Sequence, residues 1–255
     1  MSNGVDLGLF ASDKLPPSER LAKWNQWLVE DPCGWDESGD PGTVRYSSSE
    51  VQHGFVDAKT GDPLPVLLYV GRFLGFKRVP LLIKAYAEAR KSLGAAAPPL
   101  VIWGGYPGEW EGEHPHTVAT SLGVEGVFFA GWRGHDDLSV ALNCADIFVA
   151  PSVDEPFGQV YLEAMASGLP VIATRSGGPL SFVNTDPDKP NGWMVTPDDQ
   201  ESLAAALVEA ASSEPERLSR GQHGRALIER EYDWKRIAAR VDAVYRDVVA
   251  GAAQA

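Results

Sequence analysis

Cysteine is nearly missing from this chain: 255 residues hold only Cys33 and Cys144. Two thiols so far apart, in unrelated contexts, build neither a disulfide framework nor a zinc site. Cys144 falls in a helical-looking run and reads as a small buried thiol. Positive charge is also short, with 22 Lys and Arg against 35 Asp and Glu, a net charge of −13. Such a surface repels phosphate backbones and anionic lipid, which argues against nucleic acid or a membrane surface as partner. It leaves room for a small anion held by a few local cations. No apolar run approaches the ~20 residues of a membrane span. The opening MSNGVDLGLF lacks the basic and apolar regions of a signal peptide, so the expected compartment is the cytoplasm. No Gly-x-x-x-x-Gly-Lys-Ser/Thr loop and no Gly-x-Gly-x-x-Gly after a strand are present, which argues against P-loop hydrolysis and dinucleotide-linked oxidoreduction. There is no internal repeat.

What is present is enough for a sizeable core: 44% hydrophobic and 22% charged residues fit an ordinary globular domain. Three stretches differ in character. Residues 1–65, rich in Pro, Gly, Asp and Trp, read as an irregular extension with one helix at 17–29, where Leu21, Trp24 and Leu28 recur at helical spacing. The turn-forming groups DPCG and GDPG make 31–49 a loop. Residues 66–232 alternate short apolar runs (65–70, 100–103, 127–130, 147–150, 171–174 and 193–195) with helical patterns at 79–93, 116–122, 136–144 and 158–167. Runs of that length bounded by turns are strands buried on both faces, and their alternation with helices predicts a Rossmann-like, doubly wound parallel sheet. From residue 200 onward the chain reads as helical. The tail 233–255 carries a strong amphipathic helix, with Ile237, Val241, Val244, Tyr245 and Val248 on one stripe.

Ligands of open parallel sheets bind beyond the carboxyl ends of the strands. Those ends carry Gly71, Arg72 and Lys77; Gly104 and Gly105; Gly131, Trp132 and Arg133; Glu155, Phe157 and Gly158; then Gly177 and Gly178. Arg72 offers a planar fork and Lys77 a point charge, a combination suited to phosphate. The competing reading has Arg72 paired with a nearby carboxylate and Lys77 solvated on a helix. Glu163 lies two turns inside the helix that opens near Gly158, and helical side chains lean back toward the amino terminus. Carboxylates beside an anion site accept hydrogen bonds from sugar hydroxyls. Asp186-Pro187-Asp188 sits in a turn-rich loop and reads as turn chemistry. His114 and His116 flank a proline in a polar loop and lack metal spacing.

The phrase PSVDEPFGQVYLEAMASGLPVIA, followed by Gly177-Gly178, resembles the signature of retaining GT-B glycosyltransferases, the glycosyl transferases group one or family four. VGRFLGFKRV resembles that family's phosphate-gripping loop, FFAGWRGHDDL and ADIFVAPS its third and fourth strands, and NGVDLGLF the opening of its carboxy-terminal domain. All but about residues 12–62 is covered. The resemblance implies one half of a GT-B fold that binds a nucleotide-diphospho-sugar and transfers the glycosyl group with retention, without metal or other cofactor. It implies Arg72 and Lys77 on the diphosphate, Glu163 on the ribose, and Glu155 on the transferred sugar with backbone N–H groups around Phe157, Gly158 and Gln159. The base would lie near Gly131, Trp132 and Arg133, with Trp132 alternatively core.

The family places its acceptor site in an amino-terminal domain for which there is no room before NGVD at residue 3. Three readings therefore stand: a transferase donor domain, a nucleotide-sugar-binding module inactive without a separate acceptor domain, and a GT-B sugar-nucleotide epimerase. The Glu155/Glu163 phrase argues against the third. The missing domain, or a second chain, is expected to dock on the apolar stripe of the last helix. Base, sugar and acceptor are not legible, and neither is the role of 12–62. Pro179-Leu180-Ser181 after the double glycine departs from the family's usual Glu there.

Overall fold

The computed structural model describes residues 3–252. Residues 1–2 and 253–255, the outermost parts of the expected first and last segments, lie outside the described residues. Six strands form one parallel sheet: β1 Leu67–Gly71, β2 Leu100–Gly104, β3 Val127–Gly131, β4 Ile147–Ala150, β5 Val171–Thr174 and β6 Gly192–Val195. Their spatial order is β3-β2-β1-β4-β5-β6. The chain thus winds outward in one direction from β1, then returns to its other side through β4, and this reversal opens a crevice at the carboxyl ends of β1 and β4. Each strand falls on one of the apolar runs. Only Tyr69 interrupts the aliphatic character of β1, and its hydroxyl donates to the Arg72 carbonyl at 3.0 Å.

Helices α1 Pro17–Asn25 and α2 Ser48–Phe55 precede the sheet; α3 Val79–Leu93, α4 Pro115–Ser121, α5 His135–Cys144 and α6 Gln159–Ala166 join the strands. The chain ends with α7 Gln200–Ser212, α8 Glu214–Glu231 and α9 Trp234–Ala252. α3 packs on α4 and α7, while α6 packs on α8. The expected helix at 17–29 runs as α1 followed by a π turn at Gln26–Glu30. α2 lies partly in the stretch read as loop. Ser47 accepts from the Glu50 N–H and Glu50 reaches back to the Ser47 N–H, a reciprocal cap that starts a helix where turn residues had dominated.

The first segment is part of the core. Trp24, Trp27, Leu28, Trp35, Val51 and Phe55 are buried with the sheet residues in one cluster. Trp24 and Trp27 meet Trp103 of β2 edge-on, with ring centroids 6.5 and 5.0 Å away. β3 is an edge strand, whose free N–H and C=O groups need cover. Tyr46 supplies it: its hydroxyl accepts from the Phe129 N–H at 2.9 Å. Cys144 is buried, and burial pushes its thiol up to about 12. His114 is not in a polar environment. It is 1% exposed, packed against Trp35, Phe73 and Trp110, and burial lowers its pKa to about 4, so its imidazole is neutral.

Ile237 of α9 is buried, but Val244, Tyr245, Val248 and Val249 are 48% to 69% exposed. Most of the apolar stripe on α9 faces water. Among the described residues, no helix is long and apolar enough to cross a membrane.

Candidate functional site

The reversal point between β1 and β4 gathers the charged side chains. β1 ends at Gly71, and the chain turns through a short 3-10 segment, Gly75–Lys77, before α3 begins. The Val153 N–H donates to the Phe76 carbonyl at 2.8 Å, which draws the loop leaving β4 against that turn. Lys77 Nζ consequently sits 2.5 Å from Glu155 Oε2, with 14% and 11% of the two side chains exposed. Lys77 is therefore no solvated helix residue. A largely desolvated ion pair gains little net stability over an apolar pair, so its presence at a crevice mouth points to use.

Arg72 stands free of that pair. It is 59% exposed, and its closest carboxylate, Glu109, is 3.5 Å away and also exposed. An exposed pair at that distance is worth about 0–1 kcal/mol, so the guanidinium remains available to another anion. The β1 loop is fixed from the far side by Glu111, whose carboxylate accepts from the Gly75 N–H at 2.6 Å.

The Glu155 loop is held by the double glycine. The Gly178 N–H donates to the Glu155 carbonyl at 2.7 Å. Gly177 has φ +63°, and a Cβ there would overlap the Glu155 carbonyl, so only glycine lets the two loops approach. Ser176 adds a hydroxyl donor to Asp154 Oδ1 at 2.9 Å. Glycines read from the sequence as lining the cleft thus support its floor. Arg175 and Leu180 beside them are exposed.

α6 starts at Gln159 from Gly158, which has φ +89°. Glu163 is 5% exposed, and its ordinary carboxyl pKa is raised by burial, opposed by the His135 charge and by a hydrogen bond from Gln159. His135 Nε2 is 3.7 Å from Glu163 Oε1 and meets Phe10 edge-on. Gln159 Nε2 also donates to the Gly4 carbonyl at 2.8 Å, tying α6 to the amino-terminal segment. Glu163 therefore makes its contacts apart from the Lys77–Glu155 pair. Phe157 is half-buried, against Phe182.

At the ends of β2 and β3, Trp132 is 55% exposed and stands edge-on to Tyr106, which is 57% exposed, with centroids 6.1 Å apart. Trp132 is thus not a core residue. Arg133, expected beside it, uses its donors inside the fold, on Asp31 Oδ2 and the Trp27 carbonyl, both at 2.8 Å. Sequence reasoning missed Tyr106, His135 and Glu111. Tyr106 follows Gly104-Gly105 at a strand end and His135 lies within FFAGWRGHDDL just past another, so both were findable there; Glu111 carried no local signal. A cavity of about 250 Å³ lined by Trp24, Phe55 and Val66 lies instead at the amino end of β1, away from these groups. Among the described residues no group of three or more His, Cys, Asp and Glu side chains is placed to hold a metal ion.

Residues 64–213 match the profile of the family described as Glycosyl transferases group 1. The chain is 37% identical over 165 residues to the lipopolysaccharide core biosynthesis glycosyltransferase LpsE of Rhizobium meliloti, covering 64% of this chain and 44% of that protein. It is 32% identical over 216 residues to the D-inositol 3-phosphate glycosyltransferase of Corynebacterium aurimucosum, covering 82% of this chain and 48% of that one. The chain thus spans about half the length of the curated relatives it matches. Sucrose-phosphate synthase from Thermosynechococcus elongatus superposes with a TM-score of 0.69 at 26% identity, over 98% of this chain and 52% of that one. Anabaena HepE, solved in complex with UDP-glucose, shares the fold with a TM-score of 0.68 at 21% identity, over 96% and 56%.

Proposed function

The chain belongs to the glycosyl transferases group 1 family, and from that premise we propose that it holds a nucleotide-diphospho-sugar at the carboxyl ends of β1 and β4 and transfers the glycosyl group with retention. The observation that carries the reading is the convergence there of a buried cation, Lys77, and a buried carboxylate, Glu155, beside the free guanidinium of Arg72. A diphosphate entering the crevice competes with Glu155 for Lys77. It takes the ammonium as counter-ion and releases the carboxylate toward the hydroxyls of the transferred sugar. Arg72 closes on the diphosphate from the solvent side. As the glycosyl bond breaks, negative charge grows on the departing nucleoside diphosphate, and both cations stabilise it without a metal ion. Glu163, poised by His135, accepts from the ribose hydroxyls. The base lies at the ends of β2 and β3, against Trp132.

The chain spans about half the length of its curated relatives, and the exposed stripe of α9 fits the docking of a domain that carries the acceptor site. Calorimetric titration with UDP, GDP, ADP and their sugar conjugates tests the reading. One nucleotide should bind selectively, with tenfold or greater weakening in Arg72→Ala and in Glu163→Ala, on the order of a lost charge-assisted hydrogen bond. Absence of binding by every nucleotide would overturn it.

A further inference from the structure

Residues 26–46 wrap the free edge of β3, and their contacts concentrate on the two loops that leave β2 and β3. The Arg133 guanidinium, 5% exposed, donates to Asp31 Oδ2 at 2.8 Å, to the Trp27 carbonyl and to the Asp31 carbonyl. Trp35 Nε1 donates to the Gly105 carbonyl at 2.9 Å, and the Trp35 ring stacks on Phe73 of the β1 loop, centroids 5.2 Å apart. Gly131 has φ +73°, and a Cβ there would overlap the Cys33 carbonyl. Along the strand itself, the Tyr46 hydroxyl accepts from the Phe129 N–H. The Asp31 and Trp35 contacts lie beyond the strand ends, on the loops, and Cys33 meets β3 at its last residue, Gly131.

Those loops present Tyr106 and Trp132, two large rings each more than half exposed and edge-on to one another. Water-exposed aromatic pairs at the carboxyl ends of parallel strands form a platform for a planar ring. Loop residues hold such a platform only if the loops are rigid, and here each loop is tied at one point to the segment that wraps the edge.

We propose that residues 26–46 form a wall that positions Tyr106 and Trp132 as the nucleobase platform of the donor cleft, with Asp31 and Trp35 as positioning residues. The inference rests on the donor-site reading above and assigns a role to a stretch that the resemblance left uncovered. Asp31→Ala removes the side-chain tie to Arg133. Trp35→Phe keeps a ring against Phe73 and removes the donor to Gly105 together with part of a buried ring that also meets Trp110 and His114.

The test is calorimetric titration of the full chain and of Asp31→Ala, Trp35→Phe and Tyr106→Ala. Two kinds of probe are used: the nucleoside diphosphates UDP, GDP and ADP, and inorganic pyrophosphate, which has no base. The expected result is a loss of roughly tenfold for the preferred nucleoside diphosphate in each variant, the order of one base-stacking contact, with pyrophosphate binding unchanged. Equal losses for both probes, or no loss for either, overturn the positioning role. Pyrophosphate binding to the unaltered chain without preference among the nucleoside diphosphates overturns it as well. Failure of the unaltered chain to bind any of them overturns the donor-site reading itself.

Discussion

Glu163 combines deep burial with the role proposed for it on the ribose, and its titration separates the two. Burial raises its carboxyl above the ordinary glutamate value of about 4.3, more than His135 and Gln159 offset. Between that value and the raised one, the folded chain holds a proton that the unfolded chain has released. The contribution of Glu163 to stability therefore falls as pH rises through this window and is constant below it. Glu163→Gln removes the cost. Its thermal unfolding midpoint should exceed that of the unaltered chain at pH 7, and the gap should narrow as pH falls toward 4. Its affinity for the nucleotide should drop by tenfold or more, measured by calorimetry on the same preparation. A variant less stable at pH 7 than the parent would show that the carboxylate is held by contacts stronger than its desolvation. The sequence reading of this residue rested on helix geometry alone. It placed Glu163 two turns inside α6, whereas the neighbour that tunes it, His135, comes from α5, and no spacing along the chain connects the two.

Among the elements, α2 and β3 illustrate how local signals compete. Ser47 and Glu50 spell a capping box, but Pro, Gly and Asp upstream of it make the region read as loop. The helix forms because Val51 and Phe55, one turn apart, bury their side chains against the core. Ser47→Ala leaves the first-turn N–H of Glu50 without its acceptor. The expected loss is about 1 kcal/mol, or roughly 2–4 °C in unfolding midpoint, with cooperativity retained in a calorimetric scan. Strands were legible almost to the residue because each is buried on both faces, which forces an uninterrupted apolar run. One irregularity was not legible. The β2–β3 register slips between Ile102 and Trp103, so Trp103 pairs with Gly131. Such a bulge re-aims the residues beyond it, here Trp132 and Arg133.

On the scale of the molecule, the chain is a sheet with a finished core and an unfinished surface. α9 buries Ile237 and leaves Val244, Tyr245, Val248 and Val249 in water, a contiguous apolar face of the kind that marks an interaction site. Val244→Lys with Val248→Lys should leave the unfolding midpoint of the chain within about 1 °C, because neither side chain is packed. The same pair should abolish any concentration-dependent association seen by sedimentation. A large drop in midpoint would mean that the stripe packs on the core in solution.

The sequence by itself determined the sheet, its parallel winding and the positions where charge meets glycine. All of these follow from local periodicity and from the rule that such sheets bind ligands at their carboxyl ends. It also determined the family, since one phrase holds most of the signature within a single loop–helix–strand unit. Tertiary structure alone decided that Lys77 pairs with Glu155 across 78 residues, because that contact depends on the Val153–Phe76 hydrogen bond between loops. It decided that Arg133 turns to Asp31 and that Gly131 and Gly177 yield space to another backbone. These are long-range contacts, fixed by which surfaces the fold brings together rather than by any pattern along the chain.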